Sequence, residues 1–268
     1  MLGDQISKIT VLPGTNREGK RESFDQITMC PGDTISIVGP TGSGKSAFIN
    51  DIEVLAQGDT VTGRRILVNG VPPSDEMARD PSKKPIALIT QNTRVIADLK
   101  VSRFLELHIE ARKQTHIKDL IEDTISLANE FTGEQITKSM DMTALSGGQT
   151  RALLIADAIL IGRTPILLLD EVENAGIFKD RVISCIKECK KTVILVTHDP
   201  YLALSTDRRV VMSNGAVFKV LEPCEREKAI ITRVSEIDSL LWNLRERIRS
   251  GDLIVEDDAF GGGVEVPA

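Results

Sequence analysis

Short apolar runs bounded by turn residues alternate along this chain with longer stretches in which apolar positions recur every three to four residues. That is the pattern of a sheet layered by helices. Four runs read most clearly as strands: TISIVG at 34–39, PIALITQ at 85–91, PILLLDE at 165–171 and KTVILVTH at 191–198. Each is nearly continuous in apolar residues, as a strand covered on both faces must be. By contrast, RRILVNG at 64–70 alternates, and VVMSNGAVFKV at 210–220 sets Asn214-Gly215 between two such runs. Asn-Gly tolerates the two positive φ angles of a type I′ turn, so this segment predicts a tight hairpin. These pieces belong at a sheet edge or in a second, antiparallel sheet.

Between Gln91 and about Gly162 helical spacing takes over. KVSRFLELHIEARKQ, HIKDLIEDTISLANEF and GGQTRALLIADAILIG all carry it, and no strand pattern intervenes. This stretch, about 92–162, reads as a helical insertion within an α/β core. After Glu222 the pattern changes again. Ile230, Val234, Ile237, Leu241, Leu244 and Ile248 fall at alternating spacings of four and three. That is the seam of a short coiled coil or of a helix laid in an apolar groove, with packing on its own domain an equal reading. The closing GDLIVEDDAFGGGVEVPA is acidic and rich in glycine, which predicts a mobile end. The expected division is a domain over 1–222 and a helix with tail over 223–268.

The strongest chemical signal is GPTGSGKS, which satisfies G-x-x-x-x-G-K-[ST], follows a strand and precedes the helical pattern AFINDIEVLAQG. Gly39, Pro40, Thr41, Gly42, Ser43 and Gly44 form a turn whose N–H groups can point at phosphate, and the following helix, through Ala47, adds a positive partial charge. Lys45 would reach the β- and γ-phosphates of a nucleotide, and the Ser46 hydroxyl would sit on Mg²⁺. Three further strand ends offer matching groups. Asp170 would hold Mg²⁺ and Glu171 would orient and deprotonate a water; Gln91 offers an amide to metal and water, and His198 a ring N–H to the γ-phosphate. Open α/β sheets place ligands at the carboxyl ends of their strands.

LSGGQ at 145–149 completes an order of motifs, GPTGSGKS, Gln91, LSGGQ, LLLDE and THD, that resembles the ATP-binding cassette (ABC) ATPases over about residues 5–221. The resemblance implies a P-loop NTPase core of ABC type with an antiparallel β subdomain, a helical insertion and here a C-terminal helical extension. It implies an ATP hydrolase using ATP and Mg²⁺. Ser146, Gly147, Gly148 and Gln149 would open a helix aimed at the nucleotide of a second copy, so that two chains stack head to tail. The sequence also departs from the family. Phe24 is the sole aromatic residue before the glycine-rich loop, which leaves the Arg17 guanidinium as a candidate platform for the base. The segment Glu173-Asn174-Ala175-Gly176-Ile177 lacks the family's usual Leu-Asp ending, Arg151 comes one residue early, and Asp157 stands where a second arginine is usual.

Composition narrows the context. The 268 residues carry 33 Lys and Arg against 39 Asp and Glu, a net charge of −6, which gives no global attraction for nucleic acid or anionic lipid. No apolar run is long enough to span a bilayer and the N-terminus lacks a signal pattern, so a cytoplasmic protein is expected. The four cysteines read as reduced thiols, Cys185 and Cys189 sharing one helix face. Two functions follow: the ATP-binding subunit of a transporter with separate membrane subunits, or an ATPase acting on a cytosolic partner such as a metalloenzyme, a cofactor-assembly complex or nucleic acid. The first is favoured, and nucleic acid is the least expected partner.

Overall fold

The computed structural model describes residues 6–80, 83–90, 93, 95, 97–162, 164–171 and 176–254. It divides into two compact units, Met1–Glu222 and Pro223–Ala268. Gln91, residues 173–175 of the altered segment and most of the acidic tail lie outside the described residues.

The first unit is built on a six-stranded sheet of order β5-β6-β7-β3-β8-β9. Its strands are β3 (Thr34–Val38), β5 (Ile86–Ile89), β6 (Ile166–Asp170), β7 (Thr192–Val196), β8 (Arg208–Ser213) and β9 (Ala216–Leu221). All neighbours pair in parallel except β8 with β9, the hairpin expected around Asn214-Gly215. Both turn residues have positive φ, 49° and 80°, as a type I′ turn requires. A three-stranded antiparallel sheet of order β2-β1-β4 uses β1 (Ile9–Leu12), β2 (Ile27–Met29) and β4 (Arg65–Val68).

Alternation along the central strands splits the core in two. Leu167, Leu169, Val193 and Leu195 face one apolar cluster, and Ile166, Leu168, Ile194 and Val196 face the other. The first cluster is completed by α3 (Val101–Ala111), α4 (Ile117–Phe131), α5 (Gly147–Leu160) and α6 (Lys179–Glu188). The second is completed by α1 (Lys45–Glu53) and the antiparallel sheet. Ten residues of α5 are buried, six of them apolar, as suits a helix enclosed between layers. Two short helices, α2 (Asp75–Arg79) and α7 (Pro200–Leu204), and a 3₁₀ turn over Met142–Ala144 complete this unit. Among the described residues of the second unit lies one long helix, α8 (Glu225–Ser250).

Candidate functional site

The turn between β3 and α1 is forced into shape by its glycines. Gly39 (φ 152°) passes so close to β8 that a Cβ there would lie 2.4 Å from the Met212 carbonyl oxygen. Gly44 (φ 102°) is the N-cap of α1, and a Cβ there would lie 2.8 Å from Gly215 Cα. A left-handed glycine brings no side chain to cap the helix, and α1 has no side-chain cap. Its first N–H groups and the positive end of its dipole are therefore left open to an anion from outside. Lys45 folds back over the loop, donating to the carbonyls of Gly39 (2.8 Å) and Pro40 (3.2 Å). Ser43 Oγ is buried in the same loop without a hydrogen-bond partner, an orphan donor of the kind that awaits an acceptor.

Sheet order brings the other strand ends alongside. Asp170 closes β6, and Glu171 follows with φ 51°, a strained left-handed turn in which its N–H donates to Val196 O (2.9 Å). The next helix, α6, opens only at Lys179, so the acidic pair is not that helix's cap. His198 follows β7 with its Nε2 3.6 Å from Glu171 Oε1, just before Asp199, whose side chain caps α7 by accepting from Leu202 N–H. Thr41, Gly42, Gly44, Lys45, Ser46, Ala47, Asp170, Glu171 and His198 line one cleft of about 490 Å³, joined by Arg17 and Thr90. Arg17 Nη2 donates to the Gly42 carbonyl at 2.5 Å, which sets the guanidinium at the mouth of the glycine-rich loop.

The LSGGQ residues lie elsewhere. Ser146 is the N-cap of α5, its hydroxyl accepting from Gln149 N–H (3.2 Å) while Gln149 Oε1 accepts from Ser146 N–H (2.9 Å). This reciprocal capping box anchors the helix start. None of Ser146, Gly147, Gly148 or Gln149 lines the cleft of Lys45 and Asp170.

A family profile described as ABC transporter matches residues 25–174. The chain is also 45% identical over 254 residues to a protein of Methanocaldococcus jannaschii named as an uncharacterized ABC transporter ATP-binding protein, MJ0121, covering 95% of this chain and 97% of that one. The chain belongs to the ABC transporter family. It is 29% identical over 203 residues to the thiamine import ATP-binding protein ThiQ of Brucella suis, covering 72% of this chain and 79% of ThiQ. Among solved structures, the dimeric post-hydrolysis state of the ATP-binding cassette MJ0796 bound to ADP and Pi matches with a TM-score of 0.62 at 22% identity, over 80% of this chain and 98% of that one, which shows a shared fold.

This ABC ATPase works on ATP with Mg²⁺. Its residues fit both: an uncapped helix start, an orphan hydroxyl and a lysine for phosphate, and the hard oxygen donors Ser46 and Asp170 on the same cleft for the metal. Sequence reasoning missed what holds the cleft from behind. Arg64, fully buried, donates to both carboxylate oxygens of Glu22 (2.8 and 2.6 Å), to Asp51 Oδ2 on α1 (3.0 Å) and to the Gly215 carbonyl (3.1 Å). Its guanidinium lies 5.0 Å from the centroid of the Phe48 ring, also on α1. Glu22 accepts in addition from the N–H groups of Gly14 and Val217, and Gly215 N–H donates to Ser43 O within the loop (2.9 Å). One buried cation thus joins the antiparallel sheet, the phosphate-loop helix and the β8–β9 turn.

The cysteines play no part in this cleft. All four are free, and burial, with Cys189 beside it, pushes the Cys185 thiol up to about 12, far from a ready nucleophile. Among the described residues no cluster of three or more His, Cys, Asp or Glu forms a metal cage.

Proposed function

We propose that this protein is the ATP-binding subunit of an import system whose membrane-spanning chains are separate polypeptides, and that it works as a head-to-tail dimer with ATP held between two copies. The observation that carries the dimer is the separation of α5 from the cleft: a glycine-rich helix start suited to an anion sits where its own chain's lysine and acids do not. Support for transport comes from relatives named as ABC transporter and thiamine import ATP-binding proteins. No helix among the described residues is long and apolar enough to cross a membrane, so passage would fall to other chains, with this protein at their cytoplasmic face.

In this reading the N–H groups at the start of α1 and Lys45 hold the β- and γ-phosphates. Ser46, Asp170 and Gln91 would hold Mg²⁺, which would neutralise phosphate charge. Glu171 takes a proton from the attacking water as the new O–P bond forms and the bond from the γ-phosphorus to the bridging oxygen breaks; His198 donates its ring N–H to the γ-phosphate. ATP is attracted from one side by the first chain's loop and from the other by the second chain's Ser146–Gly148 turn. Phosphate loss removes that attraction and lets the pair open.

Glu171→Gln tests the reading. Loss of the proton acceptor should slow hydrolysis by about 100-fold or more while an ATP-stabilised dimer accumulates. Hydrolysis at the parent rate overturns the assignment of the base, and a variant that stays monomeric at saturating MgATP overturns the sandwich. Affinity capture from detergent-solubilised membranes and from cytosol tests the partner. Recovery of integral membrane chains supports import, whereas recovery of soluble proteins alone overturns it in favour of an ATPase acting on a cytosolic partner.

A further inference from the structure

We propose that α8 binds the α8 of a second copy as a parallel two-stranded coiled coil, a tether that needs no nucleotide. The helix is well terminated, with Glu225 and Glu227 in its first turn, Arg247 and Arg249 in its last and a left-handed Gly251 at its end. Yet it has no buried residue, and Ile230, Ile237, Leu241 and Ile248 are 46–58% exposed. A helix with an apolar seam draws most of its stability from packing that seam against a partner.

The seam assigns its own register. Val234, Leu241 and Ile248 take heptad a positions, and Ile230, Ile237 and Leu244 take d positions, over about 27 Å of helix. Upstream the next a position is Glu227, so the seam starts at Ile230. The flanking g positions are then Arg233, Leu240 and Arg247, and the e positions Ile231, Asp238 and Arg245. In a parallel pair each g residue meets the e residue five positions on in the other helix. Arg233 therefore meets Asp238 of the second copy, twice by symmetry. In an antiparallel pair centred on the same seam, g faces g and e faces e, which sets Arg233 against Arg247 and Asp238 against Asp238. Charge thus selects a second copy in parallel orientation and penalises the reverse.

The test uses the full chain without nucleotide or Mg²⁺, so that its failure leaves the ATP-sandwich reading untouched. Light scattering should give twice the 29.3 kDa chain mass. Paired Ile237→Asp and Leu241→Asp substitutions should return the monomer while ATP binding persists, which shows the first unit still folded. Arg233→Asp should weaken pairing several-fold, and adding Asp238→Arg should restore it. A parent mass of one chain or of four overturns the proposal, as does a dimer that survives the paired aspartates. Tighter pairing in Arg233→Asp alone also overturns it, because that is the outcome of an antiparallel seam.

Discussion

Two helices of this protein open on glycine-bearing turns, and they treat their orphan N–H groups in opposite ways. Helix α1 begins behind Gly44, which offers no cap; helix α5 begins behind Ser146, which with Gln149 closes a reciprocal box. The first helix start is left hungry for an anion and is braced instead from its far side, where Asp51 and Phe48 meet the buried Arg64. The second satisfies itself, and its box leaves out only the N–H groups of Gly147 and Gly148. The proposed sandwich needs this difference: the α1 start would offer donors before its nucleotide binds, and the α5 start would hold its shape until a second copy brings one.

The brace is where the contrast breaks most severely. Arg64→Met leaves the Glu22 and Asp51 carboxylates without their shared cation, a change that costs about 3–5 kcal/mol in buried networks, measurable by urea unfolding. The effect should depend on pH. Burial alone would raise the Glu22 pKa, but the hydrogen bond and charge of Arg64, with the N–H groups of Val217 and Gly14, hold it below the ordinary carboxylate value. A depressed native pKa contributes stability that is present above the unfolded value and is lost as pH falls through the native one. In the variant only the N–H groups of Val217 and Gly14 still oppose burial, so charged Glu22 loses most of its compensation and is relieved by protonation. The deficit relative to the parent should therefore be greatest near neutrality and narrow as pH falls toward about 4. An equal deficit at both ends would show that Glu22 is not the group left uncompensated.

Next in size is Lys45→Ala. Lys45 bonds only to carbonyls of its own loop among the described contacts, so the fold should survive better than in Arg64→Met. Nucleotide affinity should fall roughly ten- to hundredfold, the scale of a hydrogen bond to a charged group, as read by calorimetry. Unchanged affinity would mean that the uncapped helix start binds phosphate without the lysine.

These two residues also mark what the sequence discloses. Lys45 was legible from the G-x-x-x-x-G-K-[ST] spacing, and Asp170, Glu171 and His198 because each sits at the carboxyl end of an apolar run, with β6, β7 and β3 neighbours in the sheet. The hairpin was legible from Asn214-Gly215 because few dipeptides accept two positive φ angles. Strands β1 and β2, of four and three residues, were not read, being too short for alternation to stand out among polar neighbours. Arg64 was illegible for a different reason. Its partners Glu22 and Asp51 lie 42 and 13 positions away in sequence, and three charged residues so dispersed look like ordinary surface until the chain buries them together.

The smallest expected effect separates the two duties of Ser146. Replacing an N-cap serine by alanine costs about 1 kcal/mol, whereas glycine at the same position costs only a few tenths. Ser146→Ala and Ser146→Gly should therefore differ in stability, with both keeping the parent's affinity for ATP at a single chain's own cleft, which α5 does not line. If Ser146 acts only as a cap, turnover should track stability and glycine should restore most of it. If its hydroxyl also faces a second copy's phosphate, as proposed, both variants should lose turnover alike although glycine keeps the helix intact. Steady-state hydrolysis beside an unfolding curve for each variant decides between them. Recovery with glycine would reduce α5 to a well-capped helix and leave Gly147 and Gly148 alone to meet the partner's nucleotide.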